Sequence, residues 1–549
     1  MLSIITFVGF TALVAVIAWY ATRKTDETTS DGYYLAGRSL GALTIAGSLL
    51  LTNLSAEQIV GLNGSAFKEG LMVMAWETLA AIAIIFGAIF LLPKYMKSGI
   101  TTIPEFIEAR FDQQTKAILS LLFLVAYAIV LLPTILYSGS LAFSTMFDLP
   151  DLLNLPQQTI IWICVWTIGL IGSIYAIFGG LKAVAVSDLI NAIGLLIGGL
   201  LIPFFGLSVI GDGSIVEGIN TLWESNPEKF NMQGEVDSSI PFGTLFTGMM
   251  LAQIYYWGTN QSILQRVFAA KNLKEGQKGM MLAALVKFII PIVVVLPGII
   301  AWHFFDGQLD NPDNAYPALV KAVLPTAFIG FFAAVLFGAV LSSFNSLLNS
   351  SVTLFGFDLY KIYFKKEANE QEAVKAGKKF GLIIAVVSMV IAPFIAYAPD
   401  GLFSYIQQSL GSLSVPILAV VIVGVLTKRV PAKGAKIVLT LGVVLYLISL
   451  IGLEPYFRET AVNKAMASGI TDANALSIIK AEAYPHYLHV MGILFVFNVL
   501  LMLVVGKISP KQEEYQPKVT EAIDTTPWKY SIICGIIIAL LVLSTYFFI

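Results

Sequence analysis

The chain is poor in charge, cysteine and histidine, and each shortage narrows what it can be. Only 12% of its 549 residues are Asp, Glu, Lys or Arg, against about 25% in an average soluble domain. The two cysteines, Cys164 and Cys534, lie inside apolar runs with no metal-ligand spacing, which argues against a disulfide framework or a zinc site. The three histidines, His303, His486 and His489, fall near expected helix ends, and no His-Glu-x-x-His run or nucleophile set beside a base is present. An intramembrane enzyme is therefore not expected. No polar stretch is long enough for a catalytic or signalling domain, so a receptor is poorly supported too. The longest connections, about 212–240 and 454–485, read as extracellular caps. A formal net charge of −2 says little about partners; neither nucleic acid nor an obligate protein partner is expected.

What is present is apolar sequence, with 57% hydrophobic residues. At about 20 apolar residues per span, the chain reads as an all-α polytopic membrane protein of about fourteen transmembrane helices. They are expected near 2–21, 41–66, 70–93, 116–147, 157–178, 183–211, 241–264, 276–304, 325–360, 377–396, 401–427, 433–453, 486–506 and 528–548. The first run, Leu2 to Tyr20, has no basic segment ahead of it and no small-residue cleavage site, so it reads as a retained span rather than a signal peptide. Basic residues gather in alternate connections, including Lys94 and Lys97, Arg266 to Lys278, Lys361 to Lys366, and Lys428 and Arg429. Asp148, Asp151, Asp306, Asp310 and Asp313 mark the others, and only 454–485 is mixed. The positive-inside rule then puts the basic connections in the cytoplasm and both termini outside a cell (inner) membrane.

Against this background the polar residues inside spans stand out. Asn53-Leu54-Ser55-Ala56-Glu57-Gln58 places a carboxylate, two amides and a hydroxyl within six residues of one span. Facing lipid they would be costly, so they are expected to line a protein interior or a solvated cavity. Gly47, Gly61 and Gly64 flank the stretch and make local unwinding cheap; the plainer alternative is a packed polar patch between helices. Glu57, Glu77, Asp188 and Lys287 are the intramembrane charges that stand out. Trp76 beside Glu77 could stack on a ring-shaped solute whose hydroxyls the carboxylate accepts, or Glu77 and Lys287 could form a structural ion pair. Ser342, Ser346, Asn349 and Thr353 follow helical spacing and make one polar stripe, suited to a weakly held hard cation or simply to close helix packing. Gln253, Tyr255, Tyr256 and Trp257 combine amides with ring faces, as a polyhydroxylated solute needs; an interfacial aromatic belt is the alternative for Trp257.

Together, Asn53 to Gln58, Gly179-Gly180-Leu181-Lys182-Ala183 with Ser187-Asp188, Tyr255-Tyr256-Trp257 through Gln265-Arg266, and Leu341 to Ser350 with Asp358 and Tyr360 resemble the sodium/solute symporter family. The likeness is to its sodium/glucose cotransporter branch, including the bacterial sodium/galactose symporter, and it extends over roughly 35–430. It implies a LeuT-like fold of two inverted five-helix repeats with broken first helices, at 41–211 and 241–427. The segment 1–40 would add one helix with its cytoplasmic loop, 212–240 an extracellular loop, and 428–549 three further helices. It also implies a sodium site from the carbonyls of Leu51, Leu54 and Ala339 and the hydroxyls of Ser342 and Ser343, with Asp188 on the ion's inward path. Gln58, Glu77, Gln253, Lys287 and Gln407 would bind a sugar or polyol, Tyr256 would gate it inside, and Trp76 and Phe403 outside. Two departures bear on substrate: Ala80 stands where the galactose symporter has serine, and Gln253 where it has asparagine. Glucose, galactose and myo-inositol stay open, as does another solute such as an amino acid, sialic acid or vitamin.

Overall fold

The computed structural model describes residues 2–22, 38, 40–100, 102–178, 181–398, 401–517 and 523–548. Among these the chain is nearly all helix, with two isolated β-bridges, Leu40 to Ala270 and Gly234 to Pro241. All fourteen apolar segments are helical. The principal elements are α1 (Leu2–Thr22), α2 (Ala42–Asn53), α3 (Ala56–Glu69), α4 (Ala75–Phe86), α5 (Gln113–Met146), α6 (Gln157–Phe178) and α7 (Leu181–Ile210). They continue with α8 (Gly248–Thr259), α9 (Gln261–Phe268), α10 (Leu273–Ile289), α11 (Leu296–Phe304), α12 (Thr326–Phe364) and α13 (Glu370–Tyr397). The last are α14 (Gly401–Leu426), α15 (Ala432–Leu447), α16 (Tyr487–Ile508) and α17 (Ser531–Phe548). Among the described residues nine helices are long and apolar enough to cross a membrane, ten if the pair bent by 47° at Ile290 counts as one. The halves α2, α8 and α9 are each too short by themselves, and α3 counts together with α4 as one long segment, Ala56–Lys97.

Two breaks set the architecture. Leu54 (φ −79, ψ 60) and Ser55 (φ −86, ψ 172) leave helical geometry between α2 and α3. Asn260 (φ −74, ψ 123) does so between α8 and α9, where its side-chain oxygen accepts from Ser262 N at 3.0 Å and caps the new helix. The expected part of glycine in the first break is corrected: no glycine sits at the kink. Gly61 and Gly64 lie within α3, where they permit close approach. A Cβ on Gly61 would meet Phe403 Cβ at 3.1 Å, and one on Gly64 would meet Asp313 Oδ1 at 2.9 Å.

Around the breaks, α2 and α4 pack against α10, α4 also against α8, and α3 against α11, α14 and α5. The long helix α12 packs on α1, α7, α5 and α13, and α14 on α15 and α16. The bundle thus surrounds the two interrupted helices and leaves their polar junctions in its interior.

The connections are more structured than the sequence reading allowed. The 212–240 segment carries a helix, Ile215–Ser225, and a short turn, Pro227–Phe230. From that turn Lys229 Nζ donates to Phe67 O at 3.1 Å and Lys68 O at 2.7 Å, at the negative end of α3. The 454–485 segment holds two helices, Glu454–Ala467 and Ala473–Glu482, the first continuing the span that starts at Ala432.

Asp313, in the connection between α11 and α12, is 4% exposed and accepts from Leu402 N at 3.1 Å, on the first turn of α14. Burial pushes its carboxyl up to about 7. The folded carboxyl thus holds a proton more readily than the unfolded one, so its contribution favours the fold below about pH 4 and is lost as pH rises through about 7. Melting temperatures of wild type and Asp313→Asn at pH 5 and pH 8 check this: the wild type is expected to lose more stability towards pH 8 than the variant.

Candidate functional site

One cavity forms where the first break and one face of α8 meet α4, α10 and α14. About 770 Å³ of space lies between and beside the protein atoms there, part of it open to solvent. Gln58, Trp76, Glu77, Gln253, Tyr256, Lys287, Phe403 and Gln407 all line it. Every residue expected to bind or gate a solute is therefore brought to one place. Trp76 and Phe403 meet edge to face with ring centroids 5.3 Å apart, closing part of the wall.

Its electrostatics centre on a buried ion pair. Glu77 and Lys287 are 1% and 0% exposed, and the Lys287 ammonium bonds Glu77 Oε2 and Asn53 Oδ1. The other carboxylate oxygen of Glu77 accepts from Gln58 Nε2 at 2.6 Å. Lys287 Nζ also lies 5.4 Å from the Trp257 ring centroid. The pair considered from sequence as a structural alternative exists, and it forms part of the cavity wall. Burying such charges is tolerable only because each is paired and hydrogen-bonded. Gln253 Nε2 donates to Trp76 O at 2.7 Å, which fixes that amide. Among the described residues no protein group hydrogen-bonds the Gln407 amide, which leaves it available to a solute. Glu57 also lines the cavity, and its Oε2 is buried without a hydrogen-bond partner.

The residues expected to hold a cation sit on α2, at the break and on α12, which packs against both halves of the broken helix. Leu51, Leu54 and Ala339 are buried at 5%, 2% and 2% exposure, and Ser343 at 6%. Among the described residues no backbone N–H reaches the carbonyls of Leu51 or Leu54, because the break removes the amides that would have closed the helix. Ser343 Oγ is likewise buried with no hydrogen-bond partner. Unpartnered neutral oxygens on facing elements suit a hard monovalent cation. Ser342, in contrast, is only partly buried. The rest of the polar stripe is engaged elsewhere: Ser346 Oγ accepts from Arg266, and Thr353 Oγ1 donates to Asn349 O at 3.0 Å. The stripe read as one unit is thus divided. The side chain of Asp188, on α7, lies outside the described residues, as do Gly179 and Gly180.

Several lining residues were not assigned from sequence. Asn53 was part of the polar stretch but received no role, and it proves to be a partner of Lys287. Trp257 lines the cavity rather than an interfacial belt. Leu131 and Met491 come from α5 and α16. Both are apolar residues in apolar helices, so no local signal separates them from lipid-facing neighbours.

A bundle of membrane helices in which two broken helices meet at a buried polar chamber is the architecture of a secondary transporter. The model of the sodium:solute symporter family matches residues 33–442, and the chain belongs to that family. It is a multi-pass membrane protein that couples sodium to a small solute, in a family of transporters rather than enzymes. Over 545 residues it is 44% identical to the uncharacterized symporter YidK of Escherichia coli (strain K12), covering 99% of this chain and 90% of that protein. It is 34% identical over 463 residues to the sodium/glucose cotransporter of Vibrio parahaemolyticus, covering 79% of this chain and 82% of that one. The fold is similar to the substrate-bound outward-open state of a Na+-coupled sialic acid symporter, at a TM-score of 0.66 and 19% identity over 91% of this chain and 98% of that chain.

The buried pair generates a double-mutant test. Lys287→Met alone or Glu77→Leu alone strands an uncompensated partner and is expected to cost about 3–5 kcal/mol, whereas the double variant recovers most of that loss. Solute binding is expected to stay absent in all three. Thermal unfolding in detergent with ligand-binding assays on the same samples checks both parts.

Proposed function

We propose that the protein imports a sugar or polyol, of the glucose, galactose or myo-inositol class, by sodium-coupled alternating access in a cell membrane. The observation that carries this reading is the chamber itself. Gln58, Gln253 and Gln407 offer amides, Glu77 and Lys287 a charged pair, and Trp76, Tyr256 and Phe403 ring faces, around one space. Amides satisfy hydroxyls with a donor and an acceptor, and aromatic faces cover the C–H surface of a sugar ring. The ion pair lining the chamber is Glu77 with Lys287, one acid against one base. An anionic solute such as a sialic acid would call for net positive charge, so a neutral polyhydroxylated ligand fits better. The sodium/glucose relative from Vibrio supports the same class. Ala80 removes a hydroxyl that the galactose symporter supplies, a change worth about 1–3 kcal/mol per contact and enough to alter which sugar binds.

In this reading 41–211 and 241–427 are the two inverted repeats, and the basic connections face the cytoplasm with both termini outside. Sodium enters first and is held by the carbonyls of Leu51, Leu54 and Ala339 with the hydroxyls of Ser342 and Ser343. Bound there, the ion bridges the broken helix and α12 and favours the outward-open form. The solute then binds against Gln58, Glu77, Gln253, Lys287 and Gln407. Rocking of one repeat against the other exposes both to the cytoplasm, with Tyr256 as the inner gate and Asp188 on the ion's way out. Each inward charge gains about 2.3 kcal/mol per 100 mV, which concentrates solute roughly fifty-fold per coupled sodium.

Uptake of labelled glucose, galactose and myo-inositol into proteoliposomes with an inward sodium gradient, and with potassium as control, tests the reading. One of the three is expected to accumulate in sodium alone. Ser343→Ala is expected to raise the half-saturating sodium concentration about ten-fold, the loss of one cation ligand at roughly 1.4 kcal/mol, while the Ser342→Ala, Ser343→Ala double variant loses sodium-driven accumulation; accumulation by it without sodium would contradict the coupling. Full sodium-dependent accumulation by the double variant would remove the proposed ion site. Movement of an amino acid or a vitamin instead would keep the symporter and replace its substrate.

A further inference from the structure

We infer that Arg266 is the inner latch of the transport cycle: its guanidinium ties the inner halves of both broken helices to α12, about one turn beyond the proposed sodium site. The ion's part in this rests on the sodium reading above; the latch rests on the geometry.

The inner halves α2 and α9 are joined into one unit. Leu40 N donates to Ala269 O at 3.1 Å, and Lys271 N donates to Leu40 O at 3.1 Å, so the segment entering α2 and the segment leaving α9 share a short bridge. Glu275 Oε2 accepts from Ala42 N at 2.9 Å, fixing the first turn of α2 to the start of α10. Displacing one inner half therefore carries the other with it.

Arg266 fastens this unit to α12. Its Nε donates to Ser48 Oγ on α2 at 2.9 Å, its Nη2 to Ser346 Oγ on α12 at 3.2 Å, and its Nη1 returns to Ser262 O in its own helix. A planar fork of donors can hold three acceptors on three elements at once; a lysine ammonium is a point charge and cannot reproduce that shape.

The position of the latch gives it a second effect. Ser48 precedes Leu51 by three residues, and Ser346 follows Ser343 by three, so each acceptor lies about 5 Å along its helix from an ion-holding group. On both helices the displacement is towards the same end, the one bearing Lys271 and Lys361. A sodium ion leaving between α2 and α12 in that direction meets a fixed positive charge. Withdrawal of α2 and α9 from α12 removes the barrier and opens the path in one movement, so ion retention and inner closure become one event. This also accounts for the divided stripe on α12: Ser342 and Ser343 face the ion, and Ser346 faces the latch.

The test uses full-length protein with Cys164 and Cys534 replaced by alanine and Ala252→Cys, which lines the chamber, as reporter. A membrane-impermeant thiol reagent is applied to each face of the vesicles in turn, in potassium and in sodium. Arg266→Gln is expected to speed labelling from the face bearing Lys361 at least about five-fold in potassium, the lower end of an ordinary coupling between two states. Arg266→Lys is expected to fall between parent and Arg266→Gln. Ser346→Ala, which removes one acceptor and keeps the charge and the fold, gives a smaller rise in the same direction. Equal labelling of Arg266→Gln and parent in potassium overturns the latch, whether or not sodium acts. So does Arg266→Lys labelling as fast as Arg266→Gln while Ser346→Ala matches parent, which leaves Arg266 a purely structural part. A parent whose labelling sodium does not slow counts against the sodium reading instead, and the potassium comparison still decides the latch.

Discussion

The constraint on which the structure depends is that no charge can stand alone in the interior of a membrane bundle. Glu77 and Lys287 are both fully buried, and their mutual bond, completed by Gln58 and Asn53, makes a polar chamber possible there. The pair joins α4 to α10, and Asn53 and Gln58 bring in the two sides of the first helix break. One network therefore positions the solute-facing side chains and holds the interrupted helix in register with its neighbours. Breaking any member exposes the others to an unpaired state, which explains why chemistry and stability are hard to separate at this site.

The helix break supplies the second ingredient. Interrupting α2 at Leu54 and Ser55 frees backbone carbonyls that an intact helix would have consumed, and α12, which packs against both halves, carries the buried, unpartnered hydroxyl of Ser343. An ion site made of neutral oxygens binds modestly and can release its ion, as a cycling transporter requires. The same interruption divides the helix into a first half tied to α9 and a second half packed on α11 and α14. Two halves with different neighbours can answer to different sides of the membrane, which is the mechanical basis of alternating access.

Much of this was legible in the sequence, and the failures have physical causes. Apolar runs locate all fourteen helical segments, because a bilayer demands long uninterrupted hydrophobic stretches. The polar stretch Asn53 to Gln58 marks the first break correctly. Its attribution to glycine fails because Gly61 and Gly64 serve packing against Phe403 and Asp313 instead. Residues 241–264 read as one span, and their interruption at Asn260 was implied only by resemblance to a family. The side chains that line the chamber were legible where their chemistry is costly in lipid, as with Glu77, Lys287 and Gln253. Leu131 and Met491 carry no such cost, and their place depends on contacts hundreds of residues apart. The stripe on α12 shows the remaining limit: helical spacing puts Ser342 and Ser346 on one face, but only the fold reveals that Arg266 takes the second.

The central claim is that sodium and the solute bind the same broken-helix assembly and stabilise each other's binding. Equilibrium binding of the transported solute to purified protein in sodium and in potassium, followed through the emission of Trp76 and Trp257 beside the chamber, tests it most directly. The account predicts that saturating sodium tightens solute binding by about 5- to 150-fold and that saturating solute tightens sodium binding by the same factor, as linkage requires. Equal solute affinity in the two cations, with sodium binding unaltered by solute, would contradict it.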